Sequence, residues 1–266
     1  MKAKVTILGC GNSGGVPRIG DDWGACDPNN PKNRRLRSSL LIERESGDGK
    51  TNALIDTTPD CRQQLLSAGI SWVDGVLYTH RHADHTHGID DLRVIGFNGR
   101  SRVDVYYDLE TGEALKNRFS YCFNSSSHGP YSPILNGHVI RGGEPVQIEG
   151  PGGELEIMPF RQHHGDIDSL GFRVGGIAYS SDINGLPDES YGLLETLDIW
   201  IVDALRYEPH PCHYCVDHAL AAIEKVRPKR AILTHMQIDL DYEKLRRELP
   251  EGVEPAYDGF VLETDL

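Results

Sequence analysis

The sequence predicts an α+β protein in which β-sheets pack on each other and helices cover their outer faces. Strand-like apolar runs recur along the whole chain, helical runs are fewer, and the two kinds are interspersed. We find no internal repeat, and the glycine-rich connectors are not flanked by a change of composition. We therefore expect residues 1–266 to form one domain, a length that sandwich folds often reach.

The elements follow from short apolar runs bounded by turn residues. The predicted strands cover residues 4–8, 39–43, 52–56, 75–79, 103–107, 154–160, 171–174, 177–180, 198–203, 230–234 and 259–263. Apolar residues at helical spacing predict helices over 59–68, 110–121, 216–226 and 242–248. Residues 124–133 and 141–153 are rich in Gly, Pro or Ser, so we expect loops there.

Charge and composition limit the partners of the protein. The chain has 27 Lys and Arg against 40 Asp and Glu, and its net charge of −13 should repel a nucleic-acid backbone. No apolar run approaches the roughly 20 residues of a membrane-spanning helix, and the first run is too short for a signal peptide. Six scattered cysteines favour reduced thiols. We therefore expect a cytoplasmic protein that binds neither membranes nor long nucleic acids. A homodimeric state is compatible with the sequence.

One short segment, YTHRHADHTHG at positions 78–88, is unusually rich in metal-capable side chains. In extended chain, residues two apart face the same way, so His80 and His82 should point together. A reversal after them, with Asp84 at the start of a helical turn, would return Asp84 and His85 to the same space. Imidazole and carboxylate suit zinc, manganese or iron. We therefore predict a metal site, with His87 pointing away from it.

Three further strand ends carry a ligand-type residue. The predicted strands that end at 160, 180 and 234 lead into His164, Asp182 and His235. Strand ends at a sheet edge are a usual place for catalytic groups. His164 is preferred over His163 as a ligand because the following Gly165 permits a close approach of the backbone.

These motifs, THRHADH (79–85), HG (164–165), SD (181–182) and LTH (233–235), resemble those of the metallo-β-lactamase superfamily, in the same order. The segments GCGNSGGVPRIG, PKNRRLRSSLLI, SSDINGLP, HPCH and RAILTHM are similar to its phosphoribosyl 1,2-cyclic phosphate phosphodiesterase branch and, more distantly, to tRNA 3′-end nucleases. The resemblance implies a four-layer αββα sandwich with the site along one sheet edge. It also implies two sets of metal ligands, His80, His82 and His164 for one ion and Asp84, His85 and His235 for the other, with Asp182 bridging both.

The chain departs from that branch in one place. The branch carries an extra structural zinc on closely spaced cysteines and a later histidine. Here GDDWGAC retains only Cys26, and Gln237 or Ile238 stands at the position of the histidine. We expect the third zinc to be absent, which leaves the identical substrate in doubt but not the dinuclear chemistry.

Two divalent ions, Zn or Mn, can share a hydroxide and bind phosphoester oxygens, so we predict hydrolysis of small cyclic or nucleotide-like phosphodiesters. Asp84 and His213 are the predicted catalytic residues. His213, in PHPCHYC, resembles a family histidine that approaches the substrate without binding metal, and it would bind phosphate or protonate the leaving oxygen; alternatively it caps the next helix. Asp56 either orients a ligand histidine or caps the helix near Pro59, two roles of equal weight.

Three residues near the N-terminus are predicted to bind the substrate. GCGNSG matches the dinucleotide pattern GxGxxG, but Val16 and Pro17 follow where a helix should begin, so we reject that function. A loop whose backbone amides face a phosphate is favoured, with Ser13 beside it. Arg35 and Arg37, in the one basic run, would hold a substrate phosphate; surface ion pairs explain this run equally well.

Two other functions remain open. An acyl hydrolase of the thioesterase or lactamase type is second, because the same metal scaffold serves both chemistries. A metal-stabilised nucleotide-binding protein without activity is third. The HPCH histidine and the RRLR run favour a phosphate substrate. The Cys212–Cys215 pair has the spacing of a redox motif, but no thioredoxin-like βαβ unit precedes it, so a redox function is not favoured.

Overall fold

Two seven-stranded sheets form the centre of the structure, a computed structural model that describes residues 2–124 and 132–266. The strands of the first sheet, in spatial order, are β14 (Phe260–Asp265), β1 (Lys2–Gly9), β2 (Ser39–Ser46), β3 (Gly49–Ile55), β4 (Gly75–Leu77), β5 (Val103–Tyr107) and β6 (Leu135–Val139). Strands β3 to β6 are parallel, and the rest of this sheet is antiparallel. The carboxyl ends of β3 and β4 therefore lie at the same edge.

The second sheet repeats this mixed arrangement. Its strands, in spatial order, are β13 (Val253–Pro255), β12 (Arg230–Thr234), β11 (Ile199–Asp203), β10 (Ile177–Ser180), β9 (Ile167–Val174), β8 (Leu155–His164) and β7 (Val146–Ile148). Strands β10 to β13 are parallel, whereas β7, β8, β9 and β10 alternate in direction. Strands β8, β10, β11 and β12 consequently end at one edge.

The described residues contain eight α-helices. They are α1 (Cys61–Ala68), α2 (Ala83–Thr86), α3 (Leu92–Gly99), α4 (Leu109–Arg118), α5 (Ser120–Phe123), α6 (Asp188–Leu193), α7 (Val216–Val226) and α8 (Tyr242–Glu248). Within the described ranges, none of these helices combines the length and the apolar character that crossing a bilayer requires.

Alternation along the strands divides the core between two faces of the first sheet. Leu40 and Ile42 of β2 belong to the same buried cluster as Phe160 of the second sheet. Leu41, between them, packs in a second cluster with Leu65 of α1. One face of this sheet thus contacts the other sheet and the opposite face contacts helices, and the predicted α+β, αββα class is confirmed.

Every predicted strand overlaps an observed one, but β6, β7 and β13 were not predicted. These three are edge strands of three to five residues, and sequences such as VQI and VEP are too short to show a strand pattern. Strand β7 corrects the loop predicted over 141–153, whereas most of the loop predicted over 124–133 lies outside the described residues. The predicted helix over 110–121 is two helices, because the chain leaves helical geometry at Phe119 (φ −125°, ψ 40°).

Candidate metal centre

The seven side chains predicted as metal ligands meet at one edge of the sandwich. They follow or end β4 (His80, His82, Asp84, His85), β8 (His164), β10 (Asp182) and β12 (His235). Because carboxyl ends of parallel strands share an edge, residues far apart in sequence become neighbours there.

Asp182 lies between two sets of histidines. Its Oδ1 is 3.9 Å from His80 Nε2 and 3.7 Å from His164 Nε2. Its Oδ2 is 3.0 Å from His85 Nε2 and 3.2 Å from His235 Nδ1. Each carboxylate oxygen therefore faces a different set of nitrogen atoms.

The remaining two side chains each join one of these sets. His82 Nδ1 lies 3.3 Å from His164 Nε2, and Asp84 Oδ2 lies 3.4 Å from His85 Nε2. We call His80, His82 and His164 the first ligand group, and Asp84, His85 and His235 the second. The donor atoms of the first group lie within 4.8 Å of one another, as do those of Asp84, Asp182 and His235.

Three residues that follow strands at this edge have a left-handed backbone conformation. Asp56, Asp182 and His235 have φ angles of 64°, 53° and 59°. Residues other than glycine rarely adopt this conformation, and such strain persists only where the surrounding structure holds it, often at functional sites. The strained backbone turns these side chains away from the strand direction.

Asp56 orients the second group from behind. His85 Nδ1 donates a hydrogen bond to Asp56 Oδ2 (2.7 Å), and the Thr79 amide and hydroxyl donate to the same carboxylate (both 2.8 Å). The Thr79 hydroxyl in turn lies 3.0 Å from His80 Nδ1. These contacts fix the Nε2 atoms of both rings toward the centre. The structure therefore favours the orienting role of Asp56, because the cap residue of α1 is Asp60.

His164 is held by a backbone carbonyl from another loop and lies at the end of a tight hairpin. Its Nδ1 donates to the Cys212 carbonyl (2.7 Å), and the two-residue turn begins at Gly165, whose φ is 62°. A Cβ atom at Gly165 would lie 2.4 Å from Cys212 Sγ, so only glycine fits. The adjacent His163 is exposed and pairs with Asp168 (3.0 Å) outside the centre.

His213 borders the centre with a buried partner. Its Nδ1 donates to Asp203 Oδ2 (2.7 Å), its Nε2 lies 3.9 Å from Asp182 Oδ1, and its ring stacks on His235 with centroids 5.0 Å apart. Burial disfavours the charged ring, but Asp203 and then Asp182 and Asp84 outweigh it and raise the pKa of His213 to about 9. The surrounding carboxylates, Asp203 above all, therefore favour the protonated form of this ring.

Asp203 is a further residue of the site, beyond those predicted from the sequence. It ends the apolar strand β11 and is fully buried. Asp56 and Asp182 show the same signal, an acidic residue at the end of an apolar strand, and this signal applied to every predicted strand finds Asp203 as well.

The donor atoms of this centre fit divalent metal ions. His80 Nε2 and His85 Nε2 are buried, and neither has a hydrogen-bond partner in the described part of the chain, although Asp182 lies close to both. Burial and the neighbouring His85 lower the pKa of His80 well below its usual value, which leaves a free lone pair. For His85, burial is outweighed by Asp182, Asp84 and Asp56, which raise its pKa, so this position favours positive charge. Nitrogen and carboxylate donors around such a position suit zinc, manganese or iron.

Arg35 does not lie where a substrate-binding residue should. Only 1% of its surface is exposed, and its terminal nitrogens donate to the carbonyls of Leu240 (2.6 Å) and Gln237 (3.2 Å) and contact Cys26 Sγ (3.8 Å). This position corrects the prediction that Arg35 binds phosphate, because the guanidinium group is inside the protein with backbone partners.

Arg37, just before β2, contacts Ser13 of the glycine loop. Ser13 is exposed, and its carbonyl accepts a hydrogen bond from Arg37 Nε (3.4 Å). Arg37 also forms an ion pair with Asp60 (2.8 Å). The loop passes beside the second ligand group, since the Asn12 amide donates to the carbonyl of Met236 (3.3 Å). The role of Ser13 and Arg37 in substrate binding stays a prediction.

Two other positions complete the predicted set. His87 is exposed and packs edge-on against Phe119, with centroids 5.3 Å apart, so its ring lies away from the centre. Cys215 is buried at the start of α7, whereas Cys212 is half-buried and supports His164 through its carbonyl.

Known proteins resemble this chain in sequence and in fold. A family model described as the beta-lactamase superfamily domain matches residues 51–236. A crystal structure described as a new diphosphatase from the PhnP family is 38% identical, covers 99% of this chain and 97% of that chain, and has a TM-score of 0.88. Zn(2+)-bound PqqB from Methylobacterium extorquens is 19% identical, covers 99% of this chain and 100% of that chain, and has a TM-score of 0.72. This second likeness shows the fold alone.

A curated relative carries a different description. The octanoyltransferase of Porphyromonas gingivalis (strain ATCC BAA-308 / W83) is 31% identical over 255 residues, which are 95% of this chain but 50% of that protein. The chain thus spans about half the length of this curated relative. Because the family model spans most of the chain and the His/Asp centre lies at the sheet edge, the chain belongs to the metallo-β-lactamase superfamily.

Proposed function

We propose that the protein is a metal-dependent phosphodiesterase that hydrolyses small cyclic or nucleotide-like phosphodiesters with two divalent ions, Zn or Mn. The observation that carries this proposal is the position of Asp182, whose two carboxylate oxygens face two different ligand groups. One carboxylate between two sets of nitrogen donors is the arrangement that a two-metal hydrolytic site needs.

The chain's residues have distinct tasks in this proposal. Two bound ions would supply an activated water and neutralise charge on the phosphate. The first and second ligand groups would hold one ion each, with Asp182 shared between them. Asp84, which is only partly buried beside His85, would complete the second group from the solvent side. Asp56 and the Cys212 carbonyl keep the imidazole rings aimed at the centre.

His213 supplies the proton-transfer group. A cationic ring at the edge of the centre can donate a hydrogen bond to a phosphate oxygen or a proton to the leaving alcohol. Asp203 fixes the ring so that Nε2 faces Asp182 and stabilises its positive charge. Such a fixed imidazolium suits the dianionic transition state of phosphodiester hydrolysis, which carries more negative charge than the transition state of a neutral thioester.

The relatives support a phosphate substrate more than an acyl one. The 38% identical structure is described as a diphosphatase and matches nearly all of both chains. The octanoyltransferase name favours acyl chemistry, but half of that protein lies outside the match, so its name does not assign acyl transfer to the matched half. A metal-dependent acyl hydrolase is therefore the second candidate.

Turnover tests this proposal directly. Protein reconstituted with Zn or Mn should hydrolyse bis(p-nitrophenyl) phosphate and one or more of the 2′,3′-, 3′,5′- and 1,2-cyclic phosphodiesters. Activity should be lost in His164→Ala and kept in His163→Ala, a matched control whose ring lies outside the centre. Hydrolysis of an acyl thioester without any phosphodiester would support the second candidate. Metal binding without any turnover would indicate a binding protein.

A further inference from the structure

A groove of about 720 Å³ lies beside the metal centre, between the β8–β9 hairpin and the start of α4. One wall begins at Gly165, next to the ligand His164. The opposite wall includes Glu110, which forms an ion pair with Arg81, the residue between His80 and His82. Each wall is therefore linked to a sequence neighbour of the first ligand group.

Both walls are held by fixed contacts. Arg118 of α4 donates to the Arg81 carbonyl (2.6 Å), and Asp108 caps the same helix by accepting from the Thr111 amide (2.8 Å). On the hairpin side, the Gly165 amide donates to Asn184 Oδ1 (3.2 Å). A groove whose walls are ordered in this way can bind a ligand without a large ordering cost.

Apolar side chains in the groove are unusually open to solvent. Leu109 is 63% exposed and Val139 is 53% exposed, and Ile140 and Ile167 lie beside them. Large apolar side chains in a concave site next to catalytic groups are suited to contact the organic part of a ligand. A phosphate group alone would not use them.

The charged groups of the groove disfavour an anion. The groove contains four carboxylates and two guanidinium groups: Asp108, Glu110, Asp166 and Asp168 against Arg141 and Arg161. Arg161 pairs with Asp168 (2.6 Å) and Glu110 pairs with Arg81, so Asp108 and Asp166 remain against Arg141 alone. The excess of carboxylates adds to the net charge of −13, so a second anionic group would be repelled here.

We propose that this groove binds the organic arm of the phosphodiester substrate and selects arms that carry no negative charge, such as a nucleoside. The inference rests on the proposed function and specifies its substrate class. A substrate with a second phosphate on this arm, or a polynucleotide, would place negative charge against the carboxylates of the groove.

Three p-nitrophenyl phosphodiesters test the proposal, because they differ only in the second arm. The arms are methyl, thymidine-5′-yl and 3′-phosphorylated thymidine-5′-yl. For the wild type, kcat/KM should be highest with the uncharged thymidine arm, and about tenfold lower with the phosphorylated arm at low salt. The difference should shrink at high ionic strength, since exposed charges are screened.

Two variants probe the groove itself. Val139→Trp narrows it at an exposed position, so KM for the thymidine ester should rise about fivefold or more while the methyl ester is unaffected, since uniform binding is lost. Asp166→Lys should raise kcat/KM for the phosphorylated arm, relative to the uncharged arm, by about three- to tenfold. Asp48→Lys makes the same charge change in the exposed β2–β3 turn and should leave that ratio unchanged.

The outcomes separate the two proposals. If the methyl ester is hydrolysed but the three arms are treated alike, and neither groove variant changes the ratios, the groove is not an arm-binding site although the phosphodiesterase proposal stands. If metal-loaded protein hydrolyses none of the three esters, the phosphodiesterase proposal fails and this inference fails with it.

Discussion

The metal centre and the surroundings of Arg35 both place polar side chains inside the protein, close to the glycine loop. They differ in whether the buried polar atoms have hydrogen-bond partners. At the centre, buried nitrogens such as His80 Nε2 converge without a hydrogen-bond partner in the described chain. In the Arg35 pocket, formed by Arg35, Cys26, Gln237 and Leu240, the terminal guanidinium nitrogens donate to backbone carbonyls. Converging lone pairs make a site that suits a cation, whereas paired donors indicate a structural role.

This difference predicts opposite consequences of mutation. Changes at the metal centre should abolish activity or metal binding. They should cost little stability in the metal-free protein, because donor atoms such as His80 Nε2 have no hydrogen-bond partner in the described chain that would be lost. Changes in and around the Arg35 pocket should lower the free energy of unfolding and leave the activity of the folded fraction intact.

The largest expected effect is that of Asp182→Asn. It removes the carboxylate that both ligand groups share, so kcat/KM should fall about 10⁴-fold, corresponding to several kcal/mol of transition-state stabilisation. Metal analysis should show fewer ions bound per chain. Full metal content together with wild-type activity in this variant would contradict the shared role of Asp182.

His213→Gln should lower kcat by about 10³-fold, a typical contribution of a general acid. Its metal content should match the wild type, since both ligand groups remain. Asp203→Asn should also lower kcat, but by less. The His213 ring is still present, although it is held less firmly and its positive charge is less stabilised. If His213→Gln instead loses an equivalent of metal, His213 is a ligand rather than a proton donor.

Asp258, next to the Arg35 pocket, should make stability depend on pH. It accepts hydrogen bonds from the amides of Leu36 (2.7 Å) and Cys10 (3.1 Å), yet its burial raises its pKa to about 7. The folded state then holds this proton more tightly than the unfolded state. The stabilisation is complete below about pH 4 and is lost as pH rises through about 7, by at most about 4 kcal/mol.

Urea unfolding of chelator-treated protein between pH 4 and 8 measures this dependence. Asp258→Asn should flatten the fall in the free energy of unfolding across that range, whatever its effect at a single pH. An unchanged slope in this variant would show that Asp258 is ionised throughout.

Arg35→Met should lower the free energy of unfolding by about 3 kcal/mol, because two hydrogen bonds from a charged group are lost and two buried carbonyls lose their donor. Arg34→Met is the matched control, since Arg34 is exposed and lies over the Trp23 ring. The folded fraction of Arg35→Met should keep its kcat. A selective rise in KM for phosphodiesters, without loss of stability, would restore Arg35 as a substrate-binding residue.

The smallest effect is expected for Asp56→Asn, which alters a partner of a ligand and not a ligand. The second ligand group should bind its ion about 10- to 100-fold more weakly, as is common when such orienting residues are changed. Titration with a competing chelator should show one equivalent weakened more than the other, because His85 contacts Asp56 directly whereas His80 is linked to it only through Thr79. Equal weakening of both equivalents would mean that the two groups are not independent.

Local sequence patterns are enough to predict the α+β class and the side chains that meet at the sheet edge. Both depend on local patterns: the period of the apolar runs, and acidic or histidine residues placed just after them. The THRHADH segment and the residues at 164, 182 and 235 could be recognised in this way, because the strand that precedes each of them sets the direction of the side chain.

Which polar residues are structural follows from packing between distant segments. Arg35 and Leu240, 205 positions apart, become partners through the packing of distant segments, and no local pattern of the RRLR run reports this contact. The same holds for the edge strands β6, β7 and β13, for the pairing of His213 with Asp203, and for the groove beside α4. Such features depend on contacts between elements, whereas periodicity in a sequence reports only the environment of each element.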